Sequence, residues 1–265
     1  MLRYMFYNHR LLLTLIFAVV LSACANRAPG GYKLVKLNSE NHNSRVKIIV
    51  LHYTVSNTAR SLNILTTGEV SSHYLVTNDP SPKVYRLVDE NRRAWHAGVG
   101  SWYKYYDINS VSVGIEIVNK GPTNGDWEPY GDEQINAVAE LVKDIARRHN
   151  IDPKNIVGHS DIAPQRKQDP GPAFPWQQLA KQGIGRWYNE DAVRQAELRF
   201  LESDNLPDAE WIQSQLRRLG YATPSSGVLD KETVNVLRAF QMHYRPELHD
   251  GTPDARTMAI LEVLP

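Results

Sequence analysis

Between Val46 and Tyr53 the chain reads Val-Lys-Ile-Ile-Val-Leu-His-Tyr, a nearly unbroken apolar run closed by a histidine and a tyrosine. A strand with alternating residues can leave one face in water, whereas a run of this kind needs cover on both faces. The prediction is a strand inside a sheet with other layers packed on each side. The following segments fit that frame. Residues 59–67 carry a helical pattern that stops at Gly68, and Ser72 to Thr77 and Lys83 to Val88 read as two strands joined by the turn Asn78-Asp79-Pro80-Ser81-Pro82. Val111 to Val118 alternates, with Val111, Val113, Ile115 and Ile117 on one side and Ser112, Gly114 and Glu116 on the other. From Asp132 to Asn150 the period becomes helical, with Ile135, Val138, Ala139, Val142, Ile145 and Ala146 forming one stripe. Asp152-Pro153 interrupts it, and Ile156-Val157-Gly158 predicts a short strand running into a loop. The expected class is α+β, a mixed sheet flanked by helices.

Past about residue 195 the pattern changes. Gly227-Val-Leu-Asp230-Lys-Glu-Thr233 returns 24 residues later as Gly251-Thr-Pro-Asp254-Ala-Arg-Thr257. Each copy is a glycine turn, an aspartate placed to cap a helix, and an apolar-periodic helix. With an earlier helix from Asp208 to Leu219, they predict a small all-α domain of three helices over 206–265, preceded by a linker at 191–205. A structural appendage is one use for such a module.

The 265 residues carry 30 basic and 29 acidic side chains, a formal charge of +1 that gives no drive toward nucleic acid. The single cysteine, Cys24, excludes an intrachain disulfide and any zinc site made of several thiolates, so histidine and carboxylate are the available metal ligands. Arg3 and Arg10 precede an apolar run from Leu11 to Leu21, too short to span a bilayer and suited to a signal peptide over residues 1–23. The run ends in Leu21-Ser22-Ala23-Cys24, which resembles the bacterial lipobox. That resemblance implies an acylated Cys24 followed by a linker to about residue 32. Because residue 25 is alanine and not aspartate, it also implies attachment to the outer membrane, facing the periplasm.

A catalytic zinc needs three protein ligands and an open position. His52 ends the buried run, His159 follows Ile156-Val157-Gly158, and Asp169 opens Asp-Pro-Gly-Pro-Ala-Phe-Pro-Trp. Spacing alone leaves open whether these are ligands or ordinary core residues, since no helical metal motif joins them.

Six motifs occur in order: Leu51-His52-Tyr53-Thr54, Ser72-His73-Tyr74, Ala94-Trp95-His96-Ala97-Gly98, Gly114-Ile115-Glu116-Ile117, Gly158-His159-Ser160-Asp161-Ile162-Ala163-Pro164, and Arg166-Lys167-Gln168-Asp169-Pro170-Gly171-Pro172. Over residues 33–190 the chain resembles the type 2 zinc N-acetylmuramoyl-L-alanine amidases, which share their fold with peptidoglycan-recognition proteins, and among them the outer-membrane lipoprotein amidases. The resemblance implies one zinc per chain on His52, His159 and Asp169, and a catalytic Glu116 that takes and returns a proton. It implies Lys167 as an oxyanion donor, with Tyr53 beside it, and substrate contacts from Trp95 and His96. A surface carboxylate on an edge strand is the other use for Glu116, and a core or supporting residue the expected use for His73. Trp102-Tyr103-Lys104-Tyr105-Tyr106 suits either sugar stacking or core packing. The terminal module resembles a peptidoglycan-binding domain, which implies peptidoglycan and muropeptides as partners of an expected monomer. A wall-binding lipoprotein without activity is the rival reading.

Overall fold

A computed structural model describes Tyr32, residues 34–203 and residues 205–265. The expected signal peptide and Cys24 lie outside the described residues. Residues 34–43 hold no helix or strand and are largely exposed. Among the described residues no helix is long and apolar enough to cross a membrane. Residues 44–265 form one compact unit.

That unit begins with β1 (Ile48–Tyr53), α1 (Thr58–Thr67), β2 (Tyr74–Val76) and β3 (Val84–Arg86). Next come α2 (Ile108–Val111), β4 (Ser112–Ile117), and the small hairpin β5 (Pro122–Thr123) and β6 (Asp126–Trp127). Then follow α3 (Asp132–His149), β7 (Ile156–Gly158), α4 (His159–Ile162) and α5 (Trp176–Ala180). The main sheet has the order β3-β2-β4-β1-β7. Its strands β2, β4, β1 and β7 run parallel, and β3 closes one edge antiparallel to β2.

Strand β1 is covered on both faces, as its composition requires. Ile49 and Leu51 pack with Val113, Ile115 and Ile117 against the Ile135, Val138, Val142 and Ile145 stripe of α3. That helix has Asp132 and Glu133 in its first turn and Arg147, Arg148 and His149 in its last, matching the helix dipole. On the other face, Ile48, Val50 and Val157 join Trp102, Ile108 and Ile162 in a cluster that continues through Leu216, Tyr221 and Phe240 of the terminal helices. Each side chain of this size contributes roughly 1.5–3 kcal/mol when fully buried. Trp102, 1% exposed, donates its indole N–H to Lys154 O and meets Tyr221 edge-on at 5.1 Å. Trp102 is therefore core packing, with Tyr103 and Tyr105 half-buried beside it, while Tyr106 is exposed.

The terminal module holds four helices: α6 (Glu190–Glu202), α7 (Ala209–Arg218), α8 (Lys231–Tyr244) and α9 (Ala255–Val263). The expected linker over 191–205 is corrected, because most of it is α6. Asn189 caps that helix, and Val193 and Ala196 are buried. Arg256 of α9 ties it down by reaching Glu197 and Glu190 at 3.2 and 3.3 Å. Only two small residues of α6 are buried, while Leu198 and Leu201 stay exposed, so its periodicity is faint.

The internal repeat has a structural meaning. Asp208, Asp230 and Asp254 each accept a backbone N–H three residues on, capping α7, α8 and α9. Buried Gln213 donates to Thr233 Oγ1 and accepts Gly227 N–H, and buried Gln241 does the same for Thr257 and Gly251. Both glycines have positive φ (69° and 84°), so each turn is locked by an amide on the preceding helix.

Candidate active site

Three parallel strands deliver the site at their carboxyl ends, where open α/β sheets hold ligands. His52 is next to last in β1 and pairs in register with Glu116 on β4, so both side chains project from one face. His159 directly follows β7. Asp169 arrives on a loop pinned to the same turn, with Ser160 N–H donating to Asp169 O at 2.8 Å. The chain can approach there because Gly158 has no side chain: a Cβ would stand 2.6 Å from Pro170 Cδ. Glu116 lies on the central strand of the sheet, not at an edge.

His52 Nδ1, His159 Nδ1 and Asp169 Oδ2 converge with separations of 2.9, 3.0 and 3.0 Å. All three residues are buried. Their outer hydrogen bonds fix where the ring protons are. His159 Nε2 faces the carbonyl of Ala97 at 2.9 Å and must donate, so Nδ1 carries a lone pair. On the other side, Ser112 gives its hydroxyl proton to Ile108 O (2.5 Å) and accepts from His96 Nε2 at 3.0 Å. His96 Nδ1 is then the acceptor for His52 Nε2–H at 3.0 Å, which leaves His52 Nδ1 with a lone pair as well. Burial holds His52 down at about 4 and His96 well below the usual imidazole range, so each carries one ring proton at neutral pH. Burial pushes the Asp169 carboxyl up, but His159 and His52 outweigh it and hold the group below the usual carboxylate range.

Two lone pairs and a carboxylate therefore meet with no proton among them. Such an arrangement repels itself unless a cation sits at its centre. The spacing is close to the roughly 3.3 Å expected between ligands of a tetrahedral ion with bonds of about 2.0 Å. These residues fit a divalent metal of the kind that takes imidazole and carboxylate.

Glu116 stands beside this group. Burial pushes its carboxyl well above the usual range, and the Asp169 charge adds to the effect. Its Oε2 is buried without a hydrogen-bond partner. A cleft of 260 Å³ opens over the site, lined by Tyr53, Ile64, Trp95, Glu116 and Lys167 among others. Burial and the Asp169 charge raise the Tyr53 hydroxyl to about 12, so it remains a donor. Trp95 is 62% exposed at the cleft with the Arg93 guanidinium 5.4 Å over its ring.

His96 lines the cleft, with both ring nitrogens committed, one to His52 and one to Ser112, so the ring also orients His52. The ring fits because a Cβ on Gly114 would come within 2.4 Å of it. Asn109 Oδ1 holds the loop by accepting both His96 and Ala97 N–H. His73 is a fully buried core residue that accepts Gly114 N–H, and Arg166 donates to the carbonyls of Ala97 and Val99. Ser112 and Asn109 were missed at the level of sequence, since nothing in the spacing marks them.

The sequence pattern of the N-acetylmuramoyl-L-alanine amidase family matches residues 42–172, and that of a peptidoglycan binding domain matches 205–261. The N-acetylmuramoyl-L-alanine amidase AmiD of Escherichia coli (strain K12) is 40% identical over 270 residues, spanning 93% of this chain and 94% of its own. The chain belongs to the N-acetylmuramoyl-L-alanine amidase family. Among solved structures, AmpDh3 from Pseudomonas aeruginosa superposes on this amidase with a TM-score of 0.80 at 42% identity, covering 86% of this chain and 94% of its own. The same protein has been solved in complex with an anhydromuramic pentapeptide. Escherichia coli AmiD, in complex with anhydro-N-acetylmuramic acid-L-Ala-D-gamma-Glu-L-Lys, gives 0.77 at 39% identity, covering 90% of this amidase and 96% of its own chain. The amidase thus has the expected mixed sheet with a helical peptidoglycan-binding module.

Proposed function

We propose that the protein hydrolyses the amide between the lactyl carbonyl of N-acetylmuramic acid, its anhydro form included, and the L-alanine of the stem peptide, using one zinc ion. The observation that carries this reading is the convergence of two proton-free imidazole nitrogens and a carboxylate next to a buried acid with an unpartnered oxygen. The family and the muramyl peptides bound in the two related complexes support the substrate class.

His52, His159 and Asp169 would hold the zinc. When bound, zinc lowers the pKa of water toward about 7 and polarises a carbonyl oxygen. Glu116, with its raised affinity for a proton, accepts one from the attacking water and delivers it to the amide nitrogen. The carbon–nitrogen bond then breaks, leaving a muramyl carboxylate and a free peptide amine. Lys167 and Tyr53 stand on the cleft wall where they donate to the carbonyl oxygen as negative charge builds. Trp95 offers an exposed ring for the sugar or peptide. The terminal module holds the enzyme on peptidoglycan and so raises the local substrate concentration.

Purified protein incubated with muropeptides is expected to release peptides beginning with L-alanine, to stop with a chelator and to resume with zinc. Mass analysis of the products is the check. Cuts between sugars, or between two amino acids, would rule out this bond.

The same proposal places the mature protein as a monomer on the outer membrane, held by lipid on Cys24 and facing the periplasm. The lipobox resemblance and the alanine at position 25 support it. Cys24→Ala is expected to move the protein from the membrane to the soluble fraction, read by fractionation and blotting. Persistent membrane association would point to another attachment.

A further inference from the structure

The short helix that starts with His159 contains a buried acid whose partners come from a distant part of the chain. Asp161 is 1% exposed. Its Oδ2 accepts Gly158 N–H at 2.7 Å and His243 Nδ1–H at 2.8 Å, and its Oδ1 accepts the Tyr221 hydroxyl at 2.7 Å. Gly158 belongs to the sheet, while Tyr221 and His243 belong to the helical module. Neither ring of the module has room to turn away. His243 is stacked between Trp176 and Tyr244, with centroids 3.9 and 4.0 Å off, and Tyr221 stands edge-on to Trp102 at 5.1 Å.

The turn that Asp161 closes is the one that carries His159 and, through Ser160, pins the loop of Asp169. By binding Gly158 N–H, the carboxylate fixes the backbone just before His159. One residue later, Ser160 N–H holds the carbonyl of Asp169. The spacing between His159 Nδ1 and Asp169 Oδ2 therefore depends on a four-residue turn, 158–161, whose lock is Asp161. A carboxylate this deep is stable only when its oxygens are satisfied. Without the two module donors it keeps a single hydrogen bond. It would then be free to rotate toward water, and the turn would loosen.

We infer that Tyr221 and His243 are positioning residues which, acting through Asp161, hold His159 and Asp169 at metal-binding spacing. The helical module is thus a part of the metal centre as well as a contact to the wall. This inference rests on the reading of His52, His159 and Asp169 as metal ligands.

Tyr221→Phe removes one hydroxyl without changing the packed ring, and Tyr221→Phe with His243→Phe removes both donors. Zinc affinity, measured by competition with a chromophoric chelator, is expected to weaken several-fold in the single variant and about tenfold or more in the double one. The visible absorption of the cobalt-substituted protein should shift with it. At limiting zinc kcat should fall with KM unchanged, and saturating zinc should restore it. Leu261→Ala, a buried site in α9 far from Asp161 in the chain, serves as a control that lowers the melting temperature but leaves zinc affinity native. Native affinity and native cobalt spectra in the Phe variants would overturn the inference, as would equal zinc loss in Leu261→Ala. If the double variant fails to fold, the isosteric Tyr221→Phe decides alone. If the unaltered protein binds no zinc, the metal reading itself fails and this inference goes with it.

Discussion

Asp169→Ala is expected to abolish hydrolysis, with turnover falling by at least about 10³-fold, and to leave less than stoichiometric metal after dialysis. The carboxylate is the only anionic member of the group formed with His52 and His159, and without it two neutral imidazoles face the cation alone. The Ser160 N–H contact to the Asp169 backbone carbonyl is kept in this variant, so the loop stays pinned and the loss is that of the carboxylate oxygen itself. Metal analysis and the muropeptide assay measure the two effects separately. Binding to insoluble peptidoglycan should stay near normal, because the module at 205–261 is untouched. Full activity in this variant would refute the metal assignment.

Glu116→Gln should separate chemistry from metal binding. The side chain keeps its shape, so the zinc content is expected to match that of the unaltered protein. The amide can neither accept nor return a proton, and kcat should fall by about 10²–10⁴-fold, the usual worth of a placed general acid–base. KM should change little. Burial, with the Asp169 charge added, raises the proton affinity of this carboxyl above the usual carboxylate range, the direction that favours taking a proton from water. A variant that retains more than about a tenth of the activity would assign the proton transfer to another group.

The parts of this architecture that were legible in the sequence are those whose cause is local. Strand β1 follows from a run too apolar for a half-wet strand, and α3 from a stripe with a helical period. The caps Asp230 and Asp254 follow from their position before periodic segments. His52, His159 and Asp169 were open on spacing alone and were singled out by resemblance to a family; they converge in the fold. What stayed hidden depends on pairs of residues far apart in the chain. His96 reads only as a groove residue until the bare backbone of Gly114 and the hydroxyl of Ser112 are seen to draw its ring behind His52 as well. Helix α6 reads as a linker because two of the groups that hold it, Val193 and Ala196, are small, and a third is Arg256, some 60 residues away. The aromatic run at Trp102 gave no hint of its partner Tyr221, since nothing local distinguishes a ring that faces sugar from one that faces another domain.

The cluster that runs from Ile48 and Val50 through to Phe240 has a thermodynamic consequence. Catalytic sheet and wall-binding helices share an oily seam on the sheet face opposite α3, so that face has no complete cover without the helices. Heating should melt them in a single cooperative transition, and a fragment cut between them would expose the seam and clump. In this chain the module is no interchangeable cassette: swapping it for a foreign binding domain would mean rebuilding half the floor of the enzyme.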